Sequence, residues 1–240
     1  MLEALIEKGE DEIVGVFAPP TKEGRSPDPI STAAAELNVP VFEFNRLRDQ
    51  DAVDQFKALE PELCVMAFVT DIVPMSMINF PSLGTIQYHP SLLPLHRGPS
   101  SINWPIIQGK TETGLTIFWP DDGLDTGPVL MQKKVEIAPE ATLGSVYFNK
   151  LYPLGVQAMI ESVDLVRSGD APKIVQDESQ ATYEMLFIRL DFAPMKRTMR
   201  DLCNFWINEF LNLLHEQSKK ELGEIYTFFS SSLEKLRENP

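Results

Sequence analysis

Short apolar runs alternate, along the first two-thirds of the chain, with segments whose apolar residues recur at helical spacing. The apolar runs predict strands at residues 13–17, 39–44, 63–68, 85–88, 114–119 and 129–137. The segments between them predict helices at residues 31–37, 51–59, 74–79, 100–108 and 142–168. Ser31 is a candidate cap for the first helix, and Gly169 is expected to end the last. This alternation predicts an α/β fold with a mostly parallel sheet covered on both faces.

The pattern changes after Tyr183, where the strand signals stop. We therefore predict two parts, an α/β domain at residues 1–183 and an atypical helical segment at residues 184–240. Docking of the helical segment on an apolar surface is favoured over membrane binding, because its polar faces carry no excess of basic residues. Two apolar stripes define its helices: Met199, Leu202, Cys203, Trp206, Phe210, Leu213 and Leu214, and then Ile225, Phe228, Phe229, Leu233 and Leu236.

The composition narrows the classes of function. The chain has 240 residues, of which 43% are hydrophobic, enough for one substantial core. Its formal net charge of −14 resides in residues 1–194, which hold 28 acidic and 14 basic side chains. Such a surface repels phosphate backbones, so a nucleic-acid partner is disfavoured. The oligomeric state stays open.

Cysteine and histidine usage adds further expectations. Cys64 and Cys203 lie in apolar runs, which is typical of reduced core residues in a reducing compartment. No leader and no bilayer-spanning apolar run is evident, so we expect a cytoplasmic protein with no membrane partner. With three histidines and no cysteine pair, no metal site is expected. Nucleotide-phosphate and serine-hydrolase motifs are also absent.

Two segments carry candidate chemistry. Tyr88-His89-Pro90-Ser91-Leu92-Leu93-Pro94 places His89 at the end of one predicted strand, and Asp121-Asp122-Gly123-Leu124-Asp125-Thr126-Gly127 places Asp125 after another. Taken separately, each segment consists of residues that are common in turns. Together they offer an imidazole and a carboxylate at strand ends, where α/β sheets place their chemistry and where general acid–base catalysis uses such a pair.

These same residues resemble the folate-dependent formyltransferase family, and most of all the hydrolase domains that open 10-formyltetrahydrofolate dehydrogenases. The resemblance runs from Glu12 to Tyr183. It implies a Rossmann-like formyltransferase fold and 10-formyltetrahydrofolate as the formyl-donor substrate, with His89 and Asp125 as the catalytic pair. It also implies that the pteridine ring is bound by Asp71, Ile72 and Val73, and the folate by Ser91, Leu92, Leu93 and Pro94.

The implied chemistry is attack on a formyl carbonyl, which creates a tetrahedral oxyanion. His89 can stabilise that oxygen, while Asp125 orients His89 and accepts a proton from the nucleophile. With water as nucleophile the products are formate and tetrahydrofolate. With an acceptor amine the result is formyl transfer.

Gln87 is the third candidate catalytic residue, and it departs from the family. Transferring members carry asparagine there, and the hydrolase domains carry an apolar residue. The extra methylene moves the amide by about 1.5 Å, a carbon–carbon bond length, and such displacements can lower a rate by about a hundredfold. Hydrolysis is therefore favoured. Transfer to methionyl-tRNA or an amino-sugar nucleotide, and folate binding without activity, stay open.

The resemblance also implies a strand between the segments 13–17 and 63–68 that this sequence lacks. Unpaired backbone groups in an interior cost about 1–3 kcal/mol each. Either the flanking strands pair directly, or the segment beyond Tyr183 covers the gap, or the chain is a fragment that folds poorly. We expect marginal stability and weak activity.

Overall fold

The computed structural model describes residues 1–69 and 71–184, so the two predicted helices beyond Tyr183 lie outside the described residues. The described strands are β1 (Val16–Ala18), β2 (Val41–Glu43), β3 (Cys64–Met66), β4 (Thr85–His89), β5 (Glu112–Phe118) and β6 (Val129–Glu136). The α-helices are α1 (Leu2–Lys8), α2 (Pro29–Glu36), α3 (Gln50–Ala58), α4 (Met75–Ile78), α5 (Asn103–Ile107), α6 (Leu143–Val146) and α7 (Tyr152–Ser168). A π-helical turn, Tyr147–Leu151, connects α6 with α7, and a 3-10 turn lies at Glu178–Gln180.

The helix ends show how local chemistry sets the boundaries. The cap of α2 is Asp28, whose side chain accepts a hydrogen bond from the Ile30 N–H at 3.0 Å, so the prediction of Ser31 as the cap was wrong. A proline at the first helical position starts this helix two residues earlier, which leaves Ser31 inside it and buried. At the other end of the domain, α7 ends at Ser168 and is followed by the cap residue Gly169, whose φ of 79° lies in the left-handed region that glycine adopts easily.

The sheet is mixed rather than mostly parallel. Strand β3 pairs with β4 in parallel, whereas β4 with β5 and β5 with β6 are antiparallel. Residues 119–128 connect β5 to β6 without a helix, so the chain has no crossover element to return it for a parallel pair. The strands thus form an order of β3-β4-β5-β6 with a parallel edge and an antiparallel half.

A second sheet, β1-β2, is parallel and shares no strand pair with the first. Within the described residues, direct pairing between the strands at 13–17 and 63–68 is therefore contradicted, and the expected gap is present. Side chains connect the two sheets instead, because Phe17 from β1 and Cys64 from β3 pack against one small cluster of Val53, Phe56 and Met77. The alternative that the C-terminal segment covers the gap lies outside the described residues.

The main core determines which side of β4 carries the candidate site. Ile86 and Tyr88 are buried in the cluster that contains Ala158 and Met159 of α7. A Cβ atom at Gly155 would lie 2.7 Å from the Tyr88 ring, so glycine permits this close approach of helix and sheet. Because side chains alternate along a strand, Gln87 and His89 emerge on the opposite face from α7.

No helix in the described part of the chain is long and apolar enough to cross a membrane.

Candidate functional site

His89 and Asp125 meet at the carboxyl end of β4. The His89 ring is buried, and its Nε2 atom donates a hydrogen bond to the His96 carbonyl at 2.9 Å. Its Nδ1 atom lies 3.6 Å from Asp125 Oδ2, which also accepts the Gly98 N–H at 2.8 Å. Because a carbonyl can only accept, Nε2 carries the proton of the neutral ring and Nδ1 faces the carboxylate.

The environment of His89 disfavours its charged form. Burial lowers the pKa of the imidazole below its ordinary value of 6.5, and the nearby Asp125 carboxylate opposes this effect. A second proton on the ring can only go to Nδ1, on the side that faces Asp125. The pair thus places the ring nitrogen that can accept a proton 3.6 Å from a carboxylate oxygen.

The loop that carries Asp125 is held in a strained conformation. Asp125 has a φ of 56°, and Gln176 Nε2 donates to its carbonyl at 2.8 Å and to the Gly127 carbonyl at 2.7 Å. A Cβ atom at Gly127 would lie 1.8 Å from the Trp119 carbonyl oxygen, so only glycine fits there. His96, with a φ of 56°, shares this strain. Such strain persists only where the surroundings enforce it, and it concentrates at functional sites.

The predicted folate loop directly follows His89. Ser91 is fully buried and donates its hydroxyl to the Leu95 carbonyl at 2.6 Å, while Leu93 is buried in the interior. Leu92 and Pro94 are half-buried. Any ligand contact from this loop would therefore come from its main chain and from Leu92 and Pro94, because the other two side chains already have partners inside the domain.

Gln87 shares the His89 face of β4 and is half-buried. Among the described residues its side-chain amide has no hydrogen-bond partner. Asp71 instead has two, because its carboxylate accepts the Leu47 N–H at 2.6 Å and the Ile72 N–H at 2.8 Å. The stretch predicted to bind the pteridine ring is thus hydrogen-bonded to the loop at Leu47, and the Asp71 carboxylate makes no hydrogen bond to His89 or Asp125. Ile72 is exposed beside it.

Arg97 and its partners, which lie next to this pair, were not predicted from the sequence. Arg97 is fully buried beside the candidate pair, and its partners are Gln176, Glu178 and Tyr183. A signal was present, because Arg97 is the only Lys, Arg, Asp or Glu residue between positions 90 and 109. An isolated charge in an otherwise uncharged stretch is typical of a buried and paired side chain.

Within residues 1–69 and 71–184, no three His, Cys, Asp or Glu side chains are grouped to hold a metal ion. Cys64 is a free, half-buried thiol, and burial raises its pKa to about 11. The thiol is therefore protonated and a poor nucleophile near neutral pH. Cys203 lies outside the described residues.

These features define an α/β protein in which a buried imidazole faces a half-buried carboxylate at a strand end. A family model described as formyl transferase matches residues 3–163, more than half of the chain. The chain therefore belongs to the formyl transferase family. Its fold is the Rossmann-like α/β fold of formyltransferases.

Three relatives illustrate the similarity. The cytosolic 10-formyltetrahydrofolate dehydrogenase of Xenopus tropicalis is 44% identical over 185 residues, which are 75% of this chain and 20% of that protein. The methionyl-tRNA formyltransferase of Pelotomaculum thermopropionicum is 35% identical over 207 residues, which are 85% of this chain and 66% of that protein. The fold is also similar to the crystal structure of the phosphoribosylglycinamide formyltransferase from Anaplasma phagocytophilum, with a TM-score of 0.63 and 22% sequence identity. The similarity covers 77% of this chain and 93% of that chain. The chain spans about a fifth of the length of the dehydrogenases that it matches.

Proposed function

We propose that this protein acts on 10-formyltetrahydrofolate and releases its formyl group to water, giving formate and tetrahydrofolate. The observation that carries the proposal is the His89–Asp125 pair at the end of β4, in which His89 is buried, Asp125 is half-buried, and 3.6 Å separates Nδ1 from Oδ2. Membership of the formyl transferase family and the 44% identity with a 10-formyltetrahydrofolate dehydrogenase support the choice of donor.

The proposed reaction is a single acyl transfer to water. Asp125 accepts a proton as the water oxygen bonds to the formyl carbon, and the carbonyl oxygen becomes an oxyanion. The oxyanion then collapses, the carbon–nitrogen bond breaks, and the amine nitrogen takes up the proton that Asp125 accepted. His89 can hold this same proton at Nδ1, taking it from Asp125 and returning it before the amine nitrogen takes it up. The formic acid formed by the collapse loses its remaining proton to solvent and leaves as formate.

The oxyanion contact is assigned to Gln87. His89 already donates its Nε2–H to the His96 carbonyl, so using it for the oxyanion would break a buried hydrogen bond. Gln87 lies two residues earlier on the same face of β4, about 7 Å away along the strand, and its amide N–H groups are without partners among the described residues. The side chain is thus available to a developing charge.

The folate contacts are proposed for two stretches. Asp71, Ile72 and Val73 follow β3, while Ser91, Leu92, Leu93 and Pro94 follow β4, so both lie beyond the carboxyl ends of neighbouring parallel strands. Main-chain groups there suit the amide-like edge of a reduced pterin. We propose the cytoplasm as the compartment, in line with the cytosolic Xenopus relative.

Formyl transfer to an amine is the second candidate. The 35% identity with a methionyl-tRNA formyltransferase over 85% of this chain favours it. The excess of acidic over basic residues, 28 against 14 in positions 1–194, argues against tRNA as the acceptor but not against a small amine. Folate binding without turnover is the third candidate and predicts affinity with no product.

The deciding experiment incubates the 240-residue chain with 10-formyltetrahydrofolate and measures tetrahydrofolate and formate together. We expect equal amounts of both products from the wild type and their loss in His89→Ala and in Asp125→Asn. Asp54→Asn is the matched control, because Asp54 is an exposed carboxylate on α3 whose one side-chain hydrogen bond within residues 1–69 and 71–184 comes from Gln50. Tetrahydrofolate without formate, in the presence of an added amine, would establish transfer. Tight binding with neither product would leave the third candidate.

A further inference from the structure

Three consecutive residues connect the two members of the candidate pair through their main chain. The His96 carbonyl accepts the Nε2–H of His89 at 2.9 Å. Two residues later, the Gly98 N–H donates to Asp125 Oδ2 at 2.8 Å. The run 96–98 therefore sets the orientation of both side chains, and the residue between these two peptide groups is Arg97.

Arg97 is fully buried, with 0% of its surface exposed, and its guanidinium is completely paired. Nε and Nη2 donate to Gln176 Oε1 at 3.2 and 2.8 Å. Nη1 and Nη2 donate to the two Glu178 carboxylate oxygens at 2.9 and 2.6 Å, and Nη1 also donates to Tyr183 Oη at 2.7 Å. These bonds use every N–H of the guanidinium. Arg97 has no donor left for a substrate anion, so its role lies in the protein's own geometry.

All of these partners belong to residues 174–184, which we call the strap. The strap also pairs with the run 96–98 through its main chain, because the Arg97 N–H donates to the Thr182 carbonyl at 2.9 Å and the Glu184 N–H to the Arg97 carbonyl at 3.0 Å. From the same strap, Gln176 bonds the Asp125 carbonyl at 2.8 Å. Arg97 and the strap thus reach Asp125 by two routes, through Gly98 and through Gln176. The strap lies beyond residues 3–163, which the family model matches.

We propose that Arg97 is the positioning residue of the candidate site. By locking the run 96–98 onto the strap, it holds the Nε2–H of His89 on the His96 carbonyl and directs Nδ1 at Asp125. The effect on turnover rests on the function proposed above, whereas the effect on the His89 ring does not. Lysine at this position keeps the charge but cannot reproduce the planar set of bonds to Gln176, Glu178 and Tyr183.

The first test compares Arg97→Lys with the matched control Arg167→Lys in the full chain. Arg167 also pairs with carboxylates, Asp11 and Asp164, but at the contact between α7 and the segment after α1. We expect kcat of Arg97→Lys to fall by about ten- to a hundredfold, with KM within about twofold of the wild type. The control is expected to retain its kcat.

A second variant guards against misfolding of the first. The Glu178 side chain is 65% exposed, so Glu178→Gln weakens the ion pair with Arg97 without leaving a cavity in the core. Glu10→Gln is its control, because Glu10 is 51% exposed and pairs with Arg167. We expect kcat to fall in Glu178→Gln, by less than in Arg97→Lys, and to stay unchanged in Glu10→Gln.

The second readout is the 15N spectrum of the His89 ring, assigned by comparison with His89→Asn. In the wild type we expect one tautomer, with the proton on Nε2 and slow exchange with solvent. In Arg97→Lys the two ring nitrogens should move towards averaged shifts, even if no turnover is found for any form. An unchanged tautomer and an unchanged kcat in a folded Arg97→Lys protein would overturn the proposal. Loss of thermal stability alone would assign Arg97 to the fold and not to the pair.

Discussion

Thr116 is the direct strand partner of His89 across the β4–β5 pair, and its hydroxyl organises the loop that follows His89. The hydroxyl donates to the Ser91 carbonyl at 2.7 Å and accepts the Leu93 N–H at 3.1 Å. Gln132 Nε2 donates to the same oxygen at 3.0 Å. Thr116 is fully buried, so solvent does not reach its hydroxyl, and this one side chain supplies two of the hydrogen bonds that hold the loop.

Replacement of Thr116 by valine should therefore destabilise the protein. The change keeps the shape but leaves the Ser91 carbonyl and the Leu93 N–H without this partner, at about 1–3 kcal/mol for each group. We expect a loss of about 2–4 kcal/mol in the free energy of unfolding, measured by urea denaturation. Thr113→Val is the matched control on the same strand. The Thr113 hydroxyl is buried and has no hydrogen-bond partner in the part of the chain that the structure describes, so its removal should cost little or stabilise. Equal effects in both variants would contradict this role of the Thr116 hydroxyl.

The part of the fold that was predictable rests on local patterns. Each predicted strand overlaps a described one, since a short apolar run bounded by turn residues leaves a buried strand as the simplest structure. The direction of pairing was not predictable in the same way. It depends on whether a connection carries a helix across the sheet, and residues 119–128 contain turn residues that suit either outcome.

Gln176 should be essential to the loop that carries Asp125. Gln176→Glu keeps an acceptor for Arg97 but replaces the two donated bonds to the Asp125 and Gly127 carbonyls with a carboxylate oxygen facing them. We expect a decrease of about 1–3 kcal/mol in the free energy of unfolding and at least a tenfold decrease in kcat, about 1.4 kcal/mol in the barrier. The exposed Gln180→Glu variant should change neither. Wild-type turnover in Gln176→Glu would show that the Asp125 loop is held by other contacts.

Only part of the candidate site could be predicted from the sequence, because the rest depends on contacts between distant segments. His89 and Asp125 sit next to turn residues that mark strand ends, so their chemistry and place could be predicted together. The Arg97–Glu178 pair joins positions 81 residues apart, and nothing local to Glu178 separates it from the other acidic surface residues. Its significance comes from burial of the partner, which only the tertiary structure provides.

The buried imidazole of His89 should make stability depend on pH in a defined window. Burial lowers the folded-state pKa below the ordinary value of 6.5, so the unfolded chain binds the proton more readily. The stability that comes from keeping the ring neutral is complete above pH 6.5 and is lost as pH falls through the lower folded-state pKa. We expect the free energy of unfolding to fall more steeply in the wild type than in His89→Asn, by at most about 1.4 kcal/mol per pH unit.

The comparison of those two pH profiles separates the titration of His89 from that of the carboxylates that pair with lysines. Hydrogen bonds from Lys133 and from Lys8 lower the pKa values of Glu161 and Asp164 below 4.5 and 3.8, so their contributions are lost only at lower pH. Both carboxylates are present in the wild type and in the variant and cancel in the difference. A difference that does not change between about pH 7.5 and 5.5 would mean that His89 titrates at its ordinary pKa in the folded protein.

The gap between the two sheets leads to the last prediction, which concerns hydrogen exchange along β3. The Cys64 N–H donates at 3.1 Å to the carbonyl of Gly84, the residue just before β4. Because N–H groups alternate in direction along a strand, the Val65 N–H points to the other side, where the described residues supply no pairing strand. The Val65 amide should therefore exchange much faster than the amides of Cys64 and Met66 on either side of it. Native-state exchange followed by NMR gives all three rates in one experiment, with Ile86 in the paired strand β4 as the protected reference. If Val65 were as protected as Cys64, another segment would have to pair with β3 in solution, and the expectation of marginal stability would be withdrawn.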